Sequence, residues 1–380
     1  MSVYLDHAAT TPMAAPAIEA MTRALSKLGN PSSLHAEGRS TRKDVEDARE
    51  SLAKALNCLP SEIIFTGSGT ESDNAAIKGL YWRSNKKVIV TSSIEHQAVL
   101  EAAQWLAEHE RAEHVTIPVK RDGIIDLDFL QHLIDKRGIE IALISVMHSN
   151  NETGVIQPIA DVVRIAGDIP VHTDAIQSFT KVPLSYKELG VYAMTVSGHK
   201  VGGPLGIGIL VLRRAFEMPA LLHGGGQERE IRSGTINAPS IVALAAAVEA
   251  KTYDAVKVAA LRDSFEAGVL AARPDAIING GASPRLPGIS NITFPGTQSD
   301  SLLLLMDAEK VSCSTGAACS AGVHRPSHVL MAMSHTEVSA QSSLRFSLGA
   351  TSTQADVDYA LSVLPTVIER GLAANAVGRK

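Results

Sequence analysis

Ser197-Gly198-His199-Lys200-Val201-Gly202-Gly203-Pro204 places one lysine between a short apolar run, Ala193–Val196, and a glycine-rich turn. The apolar run reads as a buried strand, so the lysine sits where that strand ends. Water is scarce there, and the glycines let a flat ligand approach the backbone closely. Desolvation lowers a lysine's pKa, which suits it to forming Schiff bases with aldehydes. A lone lysine in a turn is more often just exposed; its neighbours in the chain decide the matter.

Outward from this point the chain alternates. Arg42 to Asn57 carries Val45, Ala48, Leu52 and Leu56 at helical spacing, and Glu62–Thr66 then reads as a strand. Further strands are predicted at Lys87–Thr91, His114–Val119, Glu140–Met147, Pro170–Thr173 and Gly206–Leu212, with helices at Gln97–Glu108, Asp126–Asp135 and Pro158–Ala166. Strands alternating with helices imply an α/β fold with a mostly parallel central sheet covered on both faces. Ligands of such sheets sit beyond the carboxyl ends of the strands. The later chain differs: a long helical stretch over Ala238–Ala272, strand-like Ile289–Phe294, a helix at Ser299–Asp307 and a final helix from Thr353. This predicts a large domain over 13–250 and a smaller α+β domain made of 1–12 and 251–380.

The whole chain has 380 residues, 45% hydrophobic and 20% charged, enough for sizeable cores. A net charge of -5 and an isoelectric point near 6.2 argue against a nucleic-acid surface. No apolar run approaches the ~18 residues of a membrane span, and Met1-Ser-Val-Tyr-Leu-Asp-His lacks a basic-then-apolar leader pattern. Cys58, Cys313 and Cys319 are too few for a disulfide framework. A cytoplasmic location is expected.

Several segments carry chemistry. Thr66-Gly67-Ser68-Gly69-Thr70 follows a strand and opens a helix from Glu71 to Leu80, so backbone N–H groups converge on a site for phosphate. Ser72 stands where a dinucleotide fingerprint needs glycine, and no Gly-Lys-Ser/Thr follows, so neither NAD nor ATP is indicated. His223-Gly-Gly-Gly226 and Arg232-Ser-Gly-Thr235 form a second donor-rich cluster. Asp174 ends a buried strand and needs a cation or donors; a pyridinium nitrogen would answer that need, and Gln177 could donate to a phenolic oxygen. The same aspartate could instead cap a helix at Ala175. His96, past another strand end, could stack on an aromatic ring or carry a proton, or be structural. Asn150 and Asn151 either bind a ligand or shape a turn. Arg345, among apolar residues of Leu344–Leu348, needs an anion, either a ligand carboxylate or a core acid.

Ser312–Gly322 is small, polar and glycine-containing, which predicts a loop on which Cys319 can react. Two rival readings use the same residues. Cys313, Cys319, His324 and His328 could bind zinc, although five residues separate the cysteines where about two to four are usual. Cys313 and Cys319 could also pair as a regulatory disulfide. Cys58 reads as packing at a helix end.

Together these segments resemble the class I (NifS/IscS-like) cysteine desulfurases, a branch of the fold-type I pyridoxal-phosphate enzymes. The resemblance runs from Tyr4-Leu-Asp-His-Ala-Ala-Thr-Thr-Pro12 to Arg345-Phe-Ser-Leu-Gly349 and includes Thr70-Glu-Ser-Asp-Asn74, Asn150-Asn-Glu-Thr-Gly154 and Ser197-Gly-His-Lys200. It implies that Lys200 carries pyridoxal 5′-phosphate, with Asp174 at the ring nitrogen, Gln177 at the phenolic oxygen and His96 stacked on the ring. Gly69, Thr70, Ser197 and His199 would hold the phosphate, and Thr235 the phosphate of a neighbouring subunit in a homodimer. Asn151 would contact the cofactor, Arg345 the carboxylate of L-cysteine, and Cys319 would take the sulfur. Sulfur would pass to an iron–sulfur scaffold or a tRNA-thiolating protein. One departure is Cys313, where relatives usually carry serine. A selenocysteine lyase or an aminotransferase on the same fold is the alternative activity.

Overall fold

The computed structural model describes residues 2–315 and 326–378. Its strands are β1 (Val3–Tyr4), β2 (Ile63–Thr66), β3 (Val88–Ser92), β4 (Glu113–Ile117), β5 (Ile141–Ser145), β6 (Val171–Asp174), β7 (Ala193–Ser197), β8 (Gly208–Leu212), β9 (Ile277–Asn279), β10 (Ile289–Thr293), β11 (Val311–Ser312) and β12 (Ser343–Ser347). The helices are α1 (Ala15–Leu25), α2 (Ala36–Leu56), α3 (Gly69–Arg83), α4 (Gln97–Glu110), α5 (Leu127–Arg137), α6 (Ile159–Ala166), α7 (Tyr186–Leu189), α8 (Ala238–Glu249), α9 (Ala255–Ala272), α10 (Ser299–Ala308), α11 (His328–Ala332), α12 (Glu337–Ala340) and α13 (Gln354–Gly378).

Seven strands form the central sheet in the order β2-β8-β7-β6-β5-β3-β4. Strands β7, β6, β5, β3 and β4 run parallel, as the helix-strand alternation predicts. Strand β8 runs antiparallel to both β7 and β2. The reason is the short, glycine-rich connection after Ser197, which has no room for the crossover helix a parallel return needs. Side chains alternate between two cores, as a pleated strand buried on both faces requires. Ile63 and Phe65 enter one core with Leu52, Val171 and Met194, while Ile64 enters the other with Leu80, Val99 and Leu210.

A third core lies outside this sheet. It joins Val3 and Leu5 from the N-terminus to Phe265, Phe294, Met306, Val311, Phe346 and Val367. Strand β1 pairs in parallel with β11, and β10 lies between β12 and β9, antiparallel to both. The expected continuous helix over Ala238–Ala272 is two helices. Lys251 takes a left-handed φ of 46° after α8, and Asp254 starts α9 by accepting the N–H groups of Val256 and Lys257. An N-cap aspartate satisfies donors that a continuous helix would have paired internally. Helix α1, which sequence spacing did not pick out, opens with Pro16 and packs its buried Ala17 and Ala20 toward α8.

Candidate active site

Lys200 lies in one tight turn, Gly198–Lys200, directly after β7. The turn holds because the Gly198 N–H reaches the Ile207 carbonyl at 3.0 Å. A Cβ on Gly198 would come within 2.5 Å of the Ile207 side chain, so only glycine fits. The Lys200 Nζ donates to the main-chain carbonyls of Ala8 and Ala9, both at 2.6 Å. Burial, then the positive charge of Arg345, pulls the Lys200 amine down to about 8, against the opposing carboxylates of Asp174 and Asp6. The amine borders a cavity of about 860 Å³ whose walls include His7, Lys181, Tyr253 and Gly349.

Asp174 ends β6 and is nearly buried. Its Oδ1 accepts the Ile176 N–H at 2.8 Å in a local turn, and no helix begins at Ala175 for it to cap. Burial raises its carboxyl to about 6, while the Ile176 N–H and Lys200 resist. Gln177 donates its Nε2 to the Ala8 carbonyl at 2.9 Å, the oxygen that also receives Lys200. Its Oε1 accepts from the Nζ of Lys181 at 3.1 Å. Burial and then the Lys200 charge lower Lys181 to about 7.

The start of α3 reaches the same place. Ser68 caps it by accepting the Glu71 N–H at 3.1 Å, and Glu71 also receives the Gly67 N–H and pairs with Arg232. A Cβ on Gly69 would fall 2.3 Å from Ile176 and 3.2 Å from Ser197. The helix start therefore lies directly against the turn after Asp174 and the end of β7. Thr70 is exposed beside it, and Ser197 is buried. His199 meets the Thr10 hydroxyl at 3.2 Å, and burial lowers its imidazole to about 4.

His96 caps α4, its Nδ1 accepting the Ala98 N–H at 3.1 Å, which puts the ring proton on Nε2. The residue keeps solvent-accessible surface, yet enough protein surrounds the ring to lower its basicity, with Lys200 and His328 adding to the effect. Asn150 shapes a turn: its Oδ1 accepts the Glu152 and Thr153 N–H groups. Arg345, on β12, donates to the Asn151 carbonyl at 3.0 Å and to Asp6 at 2.7 Å, and its Nε is buried without a partner.

Cys319 and His324 lie outside the described residues. Ser314 exchanges backbone hydrogen bonds with Arg345, and Ser327 donates to the buried Glu152 at 2.5 Å. The segment thus leaves beside Arg345 and returns beside Asn151. Cys313 packs in the third core, where burial pushes its thiol up to about 12. His328 donates its Nε2 to the Glu95 carbonyl at 2.9 Å. Among the described residues no cluster of three or more His, Cys, Asp or Glu could hold a metal. Cys58 packs at the end of α2 against the first core.

The fold therefore brings Lys200, Asp174, Gln177, Gly69, Ser197 and His199 together, with Arg345 and Asn151 alongside. Thr235 lines a separate cavity of about 500 Å³ with Leu25, Asn30 and His35. Sequence reasoning missed Lys181, whose only signal is its place four residues after Gln177. It also missed the Ala8 and Ala9 carbonyls, because main-chain acceptors leave no mark in side-chain identity.

An aminotransferase class-V family profile matches residues 3–360. An IscS-like cysteine desulfurase of Mycobacterium tuberculosis is 48% identical over 383 aligned positions, covering 98% of this chain and 97% of that protein. The cysteine desulfurase NifS of Azotobacter vinelandii is 38% identical, covering 96% and 92%. A solved NifS-like protein superimposes with a TM-score of 0.89 at 35% identity, over 97% of this chain and all of that one, 100%. SspA, solved in complex with cysteine, gives 0.83 at 36% identity, over 93% and 100%. The chain belongs to the aminotransferase class-V family, in the branch that holds the IscS- and NifS-like cysteine desulfurases.

The cofactor of that family is pyridoxal 5′-phosphate, and the residues present fit it. A depressed amine faces a carboxylate with one oxygen already oriented, a backbone cradle at Gly69 admits no Cβ, and Arg345 retains an unpartnered donor.

Proposed function

We propose that this enzyme removes sulfur from L-cysteine, releases L-alanine and holds the sulfur as a persulfide on Cys319. Lys200 would carry the cofactor, with Asp174 serving its ring nitrogen, Gln177 its phenolic oxygen, and His96 and Asn151 its ring. Gly69, Thr70, Ser197 and His199 form the phosphate cradle. When bound, the cofactor withdraws electrons from the carbon that bears the substrate amine.

Arg345 receives the substrate carboxylate, using the Nε that has no protein partner. Lys200 takes the proton from the substrate's Cα; its lowered basicity leaves a usable fraction of free amine at neutral pH. The Cys319 thiolate attacks the substrate sulfur: a sulfur–sulfur bond forms, the substrate's carbon–sulfur bond breaks, and the carbon skeleton gains protons to leave as alanine. The persulfide then passes to an acceptor protein for iron–sulfur cluster assembly or tRNA thiolation.

One observation carries this reading: the Lys200 amine stands beside Asp174 and Arg345, and the segment bearing Cys319 begins and ends next to Arg345 and Asn151. We assign a cofactor-binding domain over 13–250 and a small domain of 1–12 and 251–380; the third core, drawn from residues 3–5 and 258–368, supports this, although Val329, Leu330, Met333 and Ala340 pack in the first core. Thr235, exposed and in a separate cavity, suits a homodimer in which it serves the neighbouring subunit's phosphate. No helix among the described residues is long and apolar enough to cross a membrane; we assign the enzyme to the cytoplasm.

Purified protein given L-cysteine and a reductant should release alanine and sulfide in equal amounts. Cys319→Ala should stop sulfide release, and equal release from that variant and wild type would overturn the mechanism. Continued turnover by Cys319→Ala with a keto-acid acceptor would favour an aminotransferase; preferential release of selenide from selenocysteine would favour the lyase.

A further inference from the structure

The proposed mechanism leaves one buried acid unexplained. Asp73, on α3, is 0% exposed, and neither of its carboxyl oxygens has a well-formed hydrogen bond, the Thr195 hydroxyl offering only a weak one. Its nearest cationic candidate is His172, whose Nε2 is 3.7 Å away. That histidine is itself fully buried and engaged, with Nδ1 at 2.9 Å from the Ser145 hydroxyl and Nε2 at 3.0 Å from the Thr195 hydroxyl. Either hydroxyl can donate to or accept from the ring, so the contacts serve the neutral imidazole without a charge, and burial pulls it down to about 3. Asp73 therefore faces no cation.

The groups around it add negative charge. Asp174 follows His172 by two residues on β6, and Glu95, equally buried, lies at the turn before α4. Glu95 accepts the Ser92 hydroxyl and the Met147 N–H on Oε1 and leaves Oε2 unpartnered. Three ionised carboxylates in one dry region would cost far more than folding can supply. Asp174 is the one with the Lys200 amine to oppose it and the Ile176 N–H to orient it.

We propose that Asp73 is held as a neutral carboxylic acid behind Asp174, a positioning residue that leaves the strand end's single negative charge on Asp174, where a ring nitrogen would meet it. The inference rests on the role given to Asp174 above. Burial, and after it Asp174, raise the Asp73 carboxyl well above its ordinary value, against a weaker pull from Thr195. An acid raised in the folded state binds its proton more tightly folded than unfolded. It therefore costs stability progressively as pH rises above the ordinary carboxyl range.

The test uses the holoenzyme and Asp73→Asn, which keeps shape and removes the titrating proton. The variant's melting temperature relative to wild type should rise by several degrees between about pH 5 and about pH 8. The pH midpoint of the cofactor's absorbance should stay where it is in wild type. In infrared spectra of wild type carrying isotope-labelled aspartate, one protonated aspartic acid band should persist at about pH 8, where Asp174 is ionised, and vanish in the variant. The wild-type spectrum decides even if the variant fails to fold. Absence of that band, a difference in melting temperature between variant and wild type that does not change between about pH 5 and about pH 8, or a shifted cofactor midpoint would each overturn the proposal. Asp174→Asn, measured by cofactor retention, tests the underlying reading separately, since the Asp73 band is read in wild type, where Asp174 is intact whether or not it meets the cofactor.

Discussion

Lys200 is the residue on which the proposed chemistry turns, and its basicity can be measured directly. An amine lowered to about 8 is about one-tenth free at pH 7, against roughly one part in 3,000 for an ordinary lysine. Apoprotein given pyridoxal 5′-phosphate should capture it about tenfold faster per pH unit up to about pH 8 and then level off. Arg345 lowers the amine, so Arg345→Gln should move the plateau upward; absorbance traces across pH check both. Climbing rates beyond about pH 10 in wild type would show an unshifted amine. Cys313 allows a second prediction at this scale. Its buried, strongly raised thiol is no nucleophile, so Cys313→Ala should keep sulfide release within about twofold and cost only about 1 kcal/mol of stability.

At the scale of elements, the start of α3 is packed against the turn after β6 with no room for a methyl group. Gly69→Ala should cost about 1–3 kcal/mol and weaken cofactor retention, because the new Cβ must displace the Ile176 side chain or the helix start. Adding Ile176→Val removes the Cδ1 that it meets, so the double variant should recover much of the loss in melting and dialysis measurements. If the double variant is no better than the single, the contact is not the cause. The same scale shows what a sequence discloses. Strands such as Ile141–Ser145 were legible because burial on both faces demands unbroken apolar runs. The Lys200 turn and the Gly69 corner were legible because lysine and glycine have few other reasons to stand there. The break between α8 and α9 was not, since both sides of Lys251 suit a helix and the one local mark is Asp254, a residue that a helix surface also accommodates. Lys181 was equally hidden: nothing local tells a lysine that meets Gln177 from one in solvent.

Across the whole molecule, the N-terminal segment ties the two regions together. Leu5 lies in the third core, Asp6 holds Arg345, Ala8 and Ala9 receive the Lys200 amine, and Ala14 reaches Gly202. Leu5→Ala should cost about 2–5 kcal/mol, as for any large buried side chain truncated to a methyl. It should also loosen cofactor binding at a distance, which calorimetry and absorbance on one sample would register together. Unchanged cofactor retention in a clearly destabilised variant would show that the segment does not couple the regions.

That threading has a consequence for biosynthesis. The backbone of His7 and Ala8 is fastened to Ser347, and β1 to β11. Residues 3–8 therefore find their partners only once the chain through Ser347, more than 300 residues on, is in place. A chain that lacks β12 has both the amine and the Ala8 and Ala9 carbonyls but nothing at Ser347 to fix them in place, so truncation before Ser343 should abolish retention of pyridoxal 5′-phosphate.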